Sequence, residues 1–126
     1  MADGTKLSCE IHTDGAVLTI LYQPAVGGLQ VETPSGEWIE IPPTPYEFVV
    51  NTGLCMQRIS NDRFRAANHR VRKIDQERLS VPFFVELGIQ TAFESFPSAD
   101  QELMYPPTTY GDYIMDSNKR FVEYQR

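Results

Sequence analysis

The residues able to do chemistry are few and oddly grouped. Ile11-His12-Thr13-Asp14 sets an imidazole and a carboxylate two positions apart. On an extended strand or strand end, alternate side chains project to one side, so His12 and Asp14 would face a common space with Thr13 turned away. The chain has only one other histidine, His69, in Asn68-His69-Arg70-Val71, and shortly after it comes Arg78-Leu79-Ser80. Two neutral imidazoles and one carboxylate on one face of a first-row metal ion leave three coordination positions open, an arrangement that suits Fe(II). Arg78 adds a guanidinium that grips a carboxylate with two parallel hydrogen bonds, and Ser80 adds a hydroxyl donor beside it. Taken singly, each of these residues has a plainer reading as core, salt-bridge or solvated-strand residue. The combination is what points to a site.

The rest of the chain must position them. With 126 residues, 41% of them hydrophobic and 11% aromatic, it is long enough for one domain with a modest core. A net charge of −6 with no basic face argues against nucleic acid as a partner. No apolar run approaches the roughly 20 residues that span a bilayer, and no secretory signal is visible at the start, so a cytoplasmic setting is expected. Cys9 and Cys55 are too few for a disulfide framework; two reduced, partly buried thiols are expected rather than a single bridge.

Alternation and turn residues predict strands at residues 6–11, 16–22, 29–32 and 38–41, with Pro34-Ser35-Gly36-Glu37 turning the third into the fourth. Pro42-Pro43-Thr44-Pro45 must be a loop or an edge. Tyr46 to Asn51 reads as a buried strand, Leu54 to Ile59 as a strand or a short helical turn, and Val71 to Ile74 as an amphipathic strand. Arg78 to Leu87, the most apolar segment, reads as a central or inner-face strand in which Pro82, Phe83 and Phe84 are core. Residues 97–109 read as a surface excursion. Tyr110, Tyr113, Ile114, Phe121 and Tyr124 are spaced for a C-terminal helix. Glu32, Glu37, Glu40 and Glu47 fall on solvated strand faces. Short strands between Gly/Pro turns, closed by one helix, predict an all-β sandwich or jelly roll.

Beyond these spacings, the chain resembles the C-terminal part of the isopenicillin N synthase family, a branch of the 2-oxoglutarate/Fe(II) oxygenases. The likeness runs through residues 2–8, Leu21-Tyr22-Gln23, Leu29-Gln30-Val31-Glu32-Thr33, His69-Arg70-Val71, Ser80-Val81-Pro82-Phe83-Phe84-Val85 and Tyr110-Gly111-Asp112-Tyr113. It implies a double-stranded β-helix over residues 1–126, with a C-terminal helix and an incomplete N-terminus, and His12, Asp14 and His69 as catalytic iron ligands. It further implies that Arg78 and Ser80 bind a carboxylate: that of 2-oxoglutarate in the enzymes using that cosubstrate, or that of the peptide substrate in the synthase. Thr13 stands where the synthase has Glu, as in most 2-oxoglutarate enzymes. Gln125 is penultimate like a synthase glutamine, but its neighbours Tyr124 and Arg126 do not match. The implied activity is Fe(II)-dependent oxidation of a small molecule with dioxygen, by 2-oxoglutarate-dependent hydroxylation or desaturation. The alternatives are synthase-like oxidative cyclisation without 2-oxoglutarate, or a truncated, non-catalytic metal-binding jelly roll. A fold begun mid-domain would expose a sheet edge or apolar patch and tend to self-associate.

Overall fold

Seven strands among the described residues alternate between two antiparallel sheets that face each other across a cavity. A computed structural model describes residue 4 and residues 6–118. One sheet has the order β1-β6-β3-β4, built from β1 (Leu7–His12), β3 (Leu29–Glu32), β4 (Trp38–Glu40) and β6 (His69–Arg72). The other has the order β5-β2-β7, from β2 (Leu18–Tyr22), β5 (Phe48–Thr52) and β7 (Val81–Val85). Sheet membership changes at nearly every connection, which is how a jelly roll winds. A small ribbon pairs β8 (Ala92–Phe93) with β9 (Thr108–Thr109), and two helices, α1 (Leu54–Ile59) and α2 (Tyr110–Asn118), complete the described fold.

The period of two decides what faces the cavity. Cys9, Leu29, Val31, His69 and Val71 line it from the first sheet, and Thr19, Leu21, Val49, Asn51, Pro82 and Phe84 from the second. The other side of the second sheet is apolar as well. Ile20 pairs with Val50 on one flank and Phe83 on the other, and Tyr22 pairs likewise with Phe48 and Val81. Phe48 and Phe83 are 62% and 65% exposed there. This corrects two expectations. The segment 78–87 contributes an edge strand, with β2 central, and only its alternate residues Pro82 and Phe84 turn inward. β5 is likewise an edge strand, not a buried one. High apolarity on both faces argues for a central position, whereas one of those faces has no partner among the described residues.

A separate core lies under the helices. Val17, Cys55, Tyr110 and Tyr113 form it, with Leu18, Leu54, Met56, Ile59, Leu87, Phe93 and Ile114 packed around. It welds α1 and α2 to the loop between β1 and β2, the loop that carries Asp14. Residues 54–59 take the helical alternative, and α1 follows the extended Gly53 directly. The unpaired N–H groups of a helix start need acceptors, and here the loop supplies them: Leu54 N donates to Asp14 O at 2.8 Å, and Cys55 N to Gly15 O and Ala16 O at 3.3 Å. Tyr113 adds its hydroxyl, donating to Gly15 O at 2.7 Å. Both cysteines are free, Cys55 buried and Cys9 exposed, so the reduced-thiol expectation holds while Cys9 is more open than expected. The tail beyond Asn118, including Phe121, Tyr124 and Gln125, lies outside the described residues. Among the described residues, no helix is long and apolar enough to cross a membrane.

Candidate metal and anion site

His12 closes β1 and stands opposite His69, the first residue of β6. The pairing is irregular between Cys9 and His12, the kind of local bulge that re-aims a side chain at a sheet rim. The two rings lie 4.2 Å apart, centroid to centroid. Asp14 sits just past the strand and is almost fully buried. Its Oδ1 lies 3.5 Å from Nε2 of His69 and 3.7 Å from Nε2 of His12. One donor atom from each of the three residues falls within a 4.8 Å cluster, a group that could hold a metal ion.

Neighbouring groups select which atoms are offered. Nδ1 of His12 lies 2.8 Å from Glu10 O, and Nδ1 of His69 lies 3.1 Å from Ala67 O. A carbonyl only accepts, so each Nδ1 carries the proton and each Nε2 presents its lone pair to the centre. Asp14 is held from its far side, where Thr19 Oγ1 donates to Oδ2 at 2.5 Å and Asn51 Nδ2 at 2.9 Å. His69 is further fixed through the residue before it, which is tied to β3. Glu32 N donates to Asn68 O, and Asn68 Nδ2 donates back to the Glu32 carboxylate at 2.8 Å. Next to it, buried Arg70 stacks over Trp38 at 4.2 Å and donates to Gln30.

Arg78 and Ser80 line the same cavity, which has a volume of about 160 Å³. Nε of Arg78 donates to Gly27 O at 2.9 Å, Nη1 to Ser80 Oγ at 2.9 Å and Nη2 to Gln23 Oε1 at 3.3 Å. Three of five guanidinium N–H groups are thus committed to holding the fork in place, and one on each terminal nitrogen is left over. Between this fork and the histidine cluster the walls are Leu21, Leu29, Val31, Val49, Val71 and Phe84. Such a space suits a short chain that is anionic at one end and ligates a metal at the other. Cys9 also faces it, its Sγ 3.8 Å from His12 Nδ1. Burial, then the charge of Glu10, pushes that thiol up, with Arg78 opposing, so it stays neutral near pH 7.

All five residues singled out from the sequence therefore meet at one cavity. Three others went unnoticed: Thr19, Asn51 and Gln23. Asn51 and Thr19 did leave a signal, as polar residues at inward positions of otherwise apolar strands. Gln23 left none in the periodicity, since it follows β2, although it lies in the Leu21-Tyr22-Gln23 segment of the family resemblance. Phe84 belongs to the cavity wall as well as to the strand.

Over residues 2–87 the chain matches the family model of the 2OG-Fe(II) oxygenase superfamily. It is 47% identical over 123 residues to the isopenicillin N synthase of Streptomyces jumonjinensis, a match covering 96% of this chain and 37% of that protein. With the synthase of Streptomyces griseus it shares 43% over 122 residues, covering 95% and 37%. Among solved structures, the dioxygenase for auxin oxidation in rice superposes with a TM-score of 0.82 at 30% identity, over 92% of this chain and 41% of that one. Dioxygenase for auxin oxidation 1 from Arabidopsis thaliana, solved as a complex with 2-oxoglutarate, gives 0.70 at 33% identity, over 77% and 38%. The chain belongs to the 2OG-Fe(II) oxygenase superfamily, a family of Fe(II)-dependent enzymes. It spans little more than a third of the length of the curated relatives it matches.

Proposed function

We propose that residues 1–126 form the C-terminal, metal- and cosubstrate-binding jelly roll of a non-haem Fe(II)-dependent oxygenase. In this reading His12, Asp14 and His69 hold Fe(II) through Nε2, Oδ1 and Nε2 respectively, and Arg78 with Ser80 holds the distal carboxylate of 2-oxoglutarate. The carrying observation is the shared cavity: a three-atom donor cluster faces a guanidinium held in place by Gly27, Ser80 and Gln23, with an apolar wall between. Fe(II) held there would supply the one-electron chemistry that dioxygen requires, one oxygen atom entering succinate as 2-oxoglutarate loses CO2 and the other going to a small-molecule substrate when it is hydroxylated. The protein's own part is positional. The Nδ1 anchors fix the tautomer of both imidazoles and aim Nε2 at the centre, and the fork sets how deep the cosubstrate sits.

A second reading uses the same socket without 2-oxoglutarate. The 47% identity to an isopenicillin N synthase favours it: Arg78 and Ser80 would then grip a carboxylate of the substrate, and the substrate would supply all the electrons for an oxidative cyclisation. A metal-binding jelly roll without turnover is the third possibility. Oxygen uptake by the Fe(II)-loaded protein decides among them. Uptake that requires 2-oxoglutarate, yields succinate and fails in Arg78→Ala supports the first reading. Succinate-free uptake that starts only with a carboxylate-bearing peptide substrate supports the second, and no uptake with either sinks both.

A further inference from the structure

Of the three candidate ligands, only Asp14 has two oxygens to offer, and the structure treats them differently. Both side chains that hydrogen-bond the carboxylate go to Oδ2: Thr19 Oγ1 at 2.5 Å and Asn51 Nδ2 at 2.9 Å. Oδ1, which faces the two histidines, accepts no such bond among the described residues. Thr19 and Asn51 are not two loop residues that happen to converge. They are a directly opposed cross-strand pair of β2 and β5, both inward on a paired sheet, so their reach is fixed by strand register rather than by a mobile loop. Thr19 is buried, and Asn51 lies against the cavity.

We propose that Thr19 and Asn51 are positioning residues that make Asp14 a one-oxygen ligand and so reserve a coordination position for the cosubstrate. The inference rests on the Fe(II) reading of the preceding section. A six-coordinate ion held by three protein atoms keeps three positions, enough for a chelating keto acid and dioxygen together. If Oδ2 also ligated, two would remain, and the keto acid would fill both or compete with the carboxylate for one. Two donors on Oδ2 prevent this by satisfying its lone pairs on the side away from the ion.

The test is anaerobic titration of Thr19→Val, Asn51→Leu and the double variant, first with Fe(II) and then with 2-oxoglutarate on the iron-loaded protein. Both substitutions remove a donor at nearly constant volume. The double variant is expected to keep its Fe(II) affinity within a few-fold and to lose 2-oxoglutarate affinity by about tenfold or more, the order set by one hydrogen bond to a charged group. The single variants fall between, and Thr19→Ser, which restores the hydroxyl, returns to the unsubstituted value. The infrared splitting of the Asp14 carboxylate on metal binding should narrow in the double variant as the second oxygen joins. Iron and cosubstrate affinities that fall together, or a cosubstrate affinity that does not move, overturn the inference and leave the Fe(II) reading intact. An unsubstituted protein that binds no Fe(II) overturns the reading itself.

Discussion

Replacing Gly53 with alanine tests how the Asp14 loop is held. A Cβ at this position would lie 2.1 Å from Ala16 O and 2.9 Å from Asp14 O. Both are backbone atoms of the loop that carries the carboxylate, so no side chain can swing aside to make room. Ordinary contact begins near 3.4 Å, so helix α1 and the loop must part by more than 1 Å. The seam between them carries Gly53 N to Val17 O at 3.1 Å, Leu54 N to Asp14 O at 2.8 Å, and the Cys55 N bonds. Overpacking costs about 1–3 kcal/mol, and each weakened hydrogen bond adds about 1 kcal/mol. With the three donors Gly53 N, Leu54 N and Cys55 N weakened, a loss of about 4–6 kcal/mol follows, a large fraction of the roughly 5–15 kcal/mol that holds a domain together. Urea denaturation measures it, and Fe(II) affinity should drop with it because Asp14 moves. Gly15→Ala is the control. Nothing lies within 4 Å of its Cβ, so the change should stay within about 0.5 kcal/mol. A Gly53→Ala protein that loses less than 1 kcal/mol and binds Fe(II) unchanged would refute the reasoning.

Further outcomes follow from other parts of the fold. Tyr113→Phe removes the bond to Gly15 O and should cost about 1 kcal/mol in urea unfolding, the size of a partly buried hydrogen bond. Phe83→Lys changes a side chain exposed on the outer sheet face. It should alter stability by no more than about 0.5 kcal/mol while weakening concentration-dependent association in sedimentation velocity; unchanged association would count against that face as the contact. Burial pushes the Cys55 thiol up to about 11 from its usual value near 9, and burial raises Tyr110 in the same way. The folded state therefore keeps protons that the unfolded chain gives up. Stability should be fully present below pH 9 and fall as pH rises toward 11, with a shallower fall in Cys55→Ala.

Most of the site was legible because its chemistry is carried by rare residues at tight spacing. A chain with two histidines leaves few ways to build a two-imidazole site, and both members of His12-x-Asp14 and of Arg78-x-Ser80 line one cavity, although Asp14, Arg78 and Ser80 lie just outside the strands. Residues 29–32 and 38–40 were readable for the same local reason, with Gly36 at φ +83° making the turn between them. What escaped depends on partners far along the chain. Asn51 becomes a support for Asp14 only once β5 lies beside β2 in register, and Gln23 orients Arg78 from 55 positions away. The rank of β7 as an edge strand was hidden because Val81, Phe83 and Phe84 look alike to a composition argument whichever face they serve. The two-residue strands β8 and β9 are too short to show a period.

The most direct measurement of the central claim is anaerobic Fe(II) binding by the full chain, with and without 2-oxoglutarate, followed by calorimetry and visible absorption. The account predicts one Fe(II) per chain, lost in His69→Ala. It also predicts a weak visible charge-transfer band when 2-oxoglutarate is added, lost in Arg78→Ala. Stoichiometric iron that survives His69→Ala, or no stoichiometric iron in the unsubstituted protein, would contradict it.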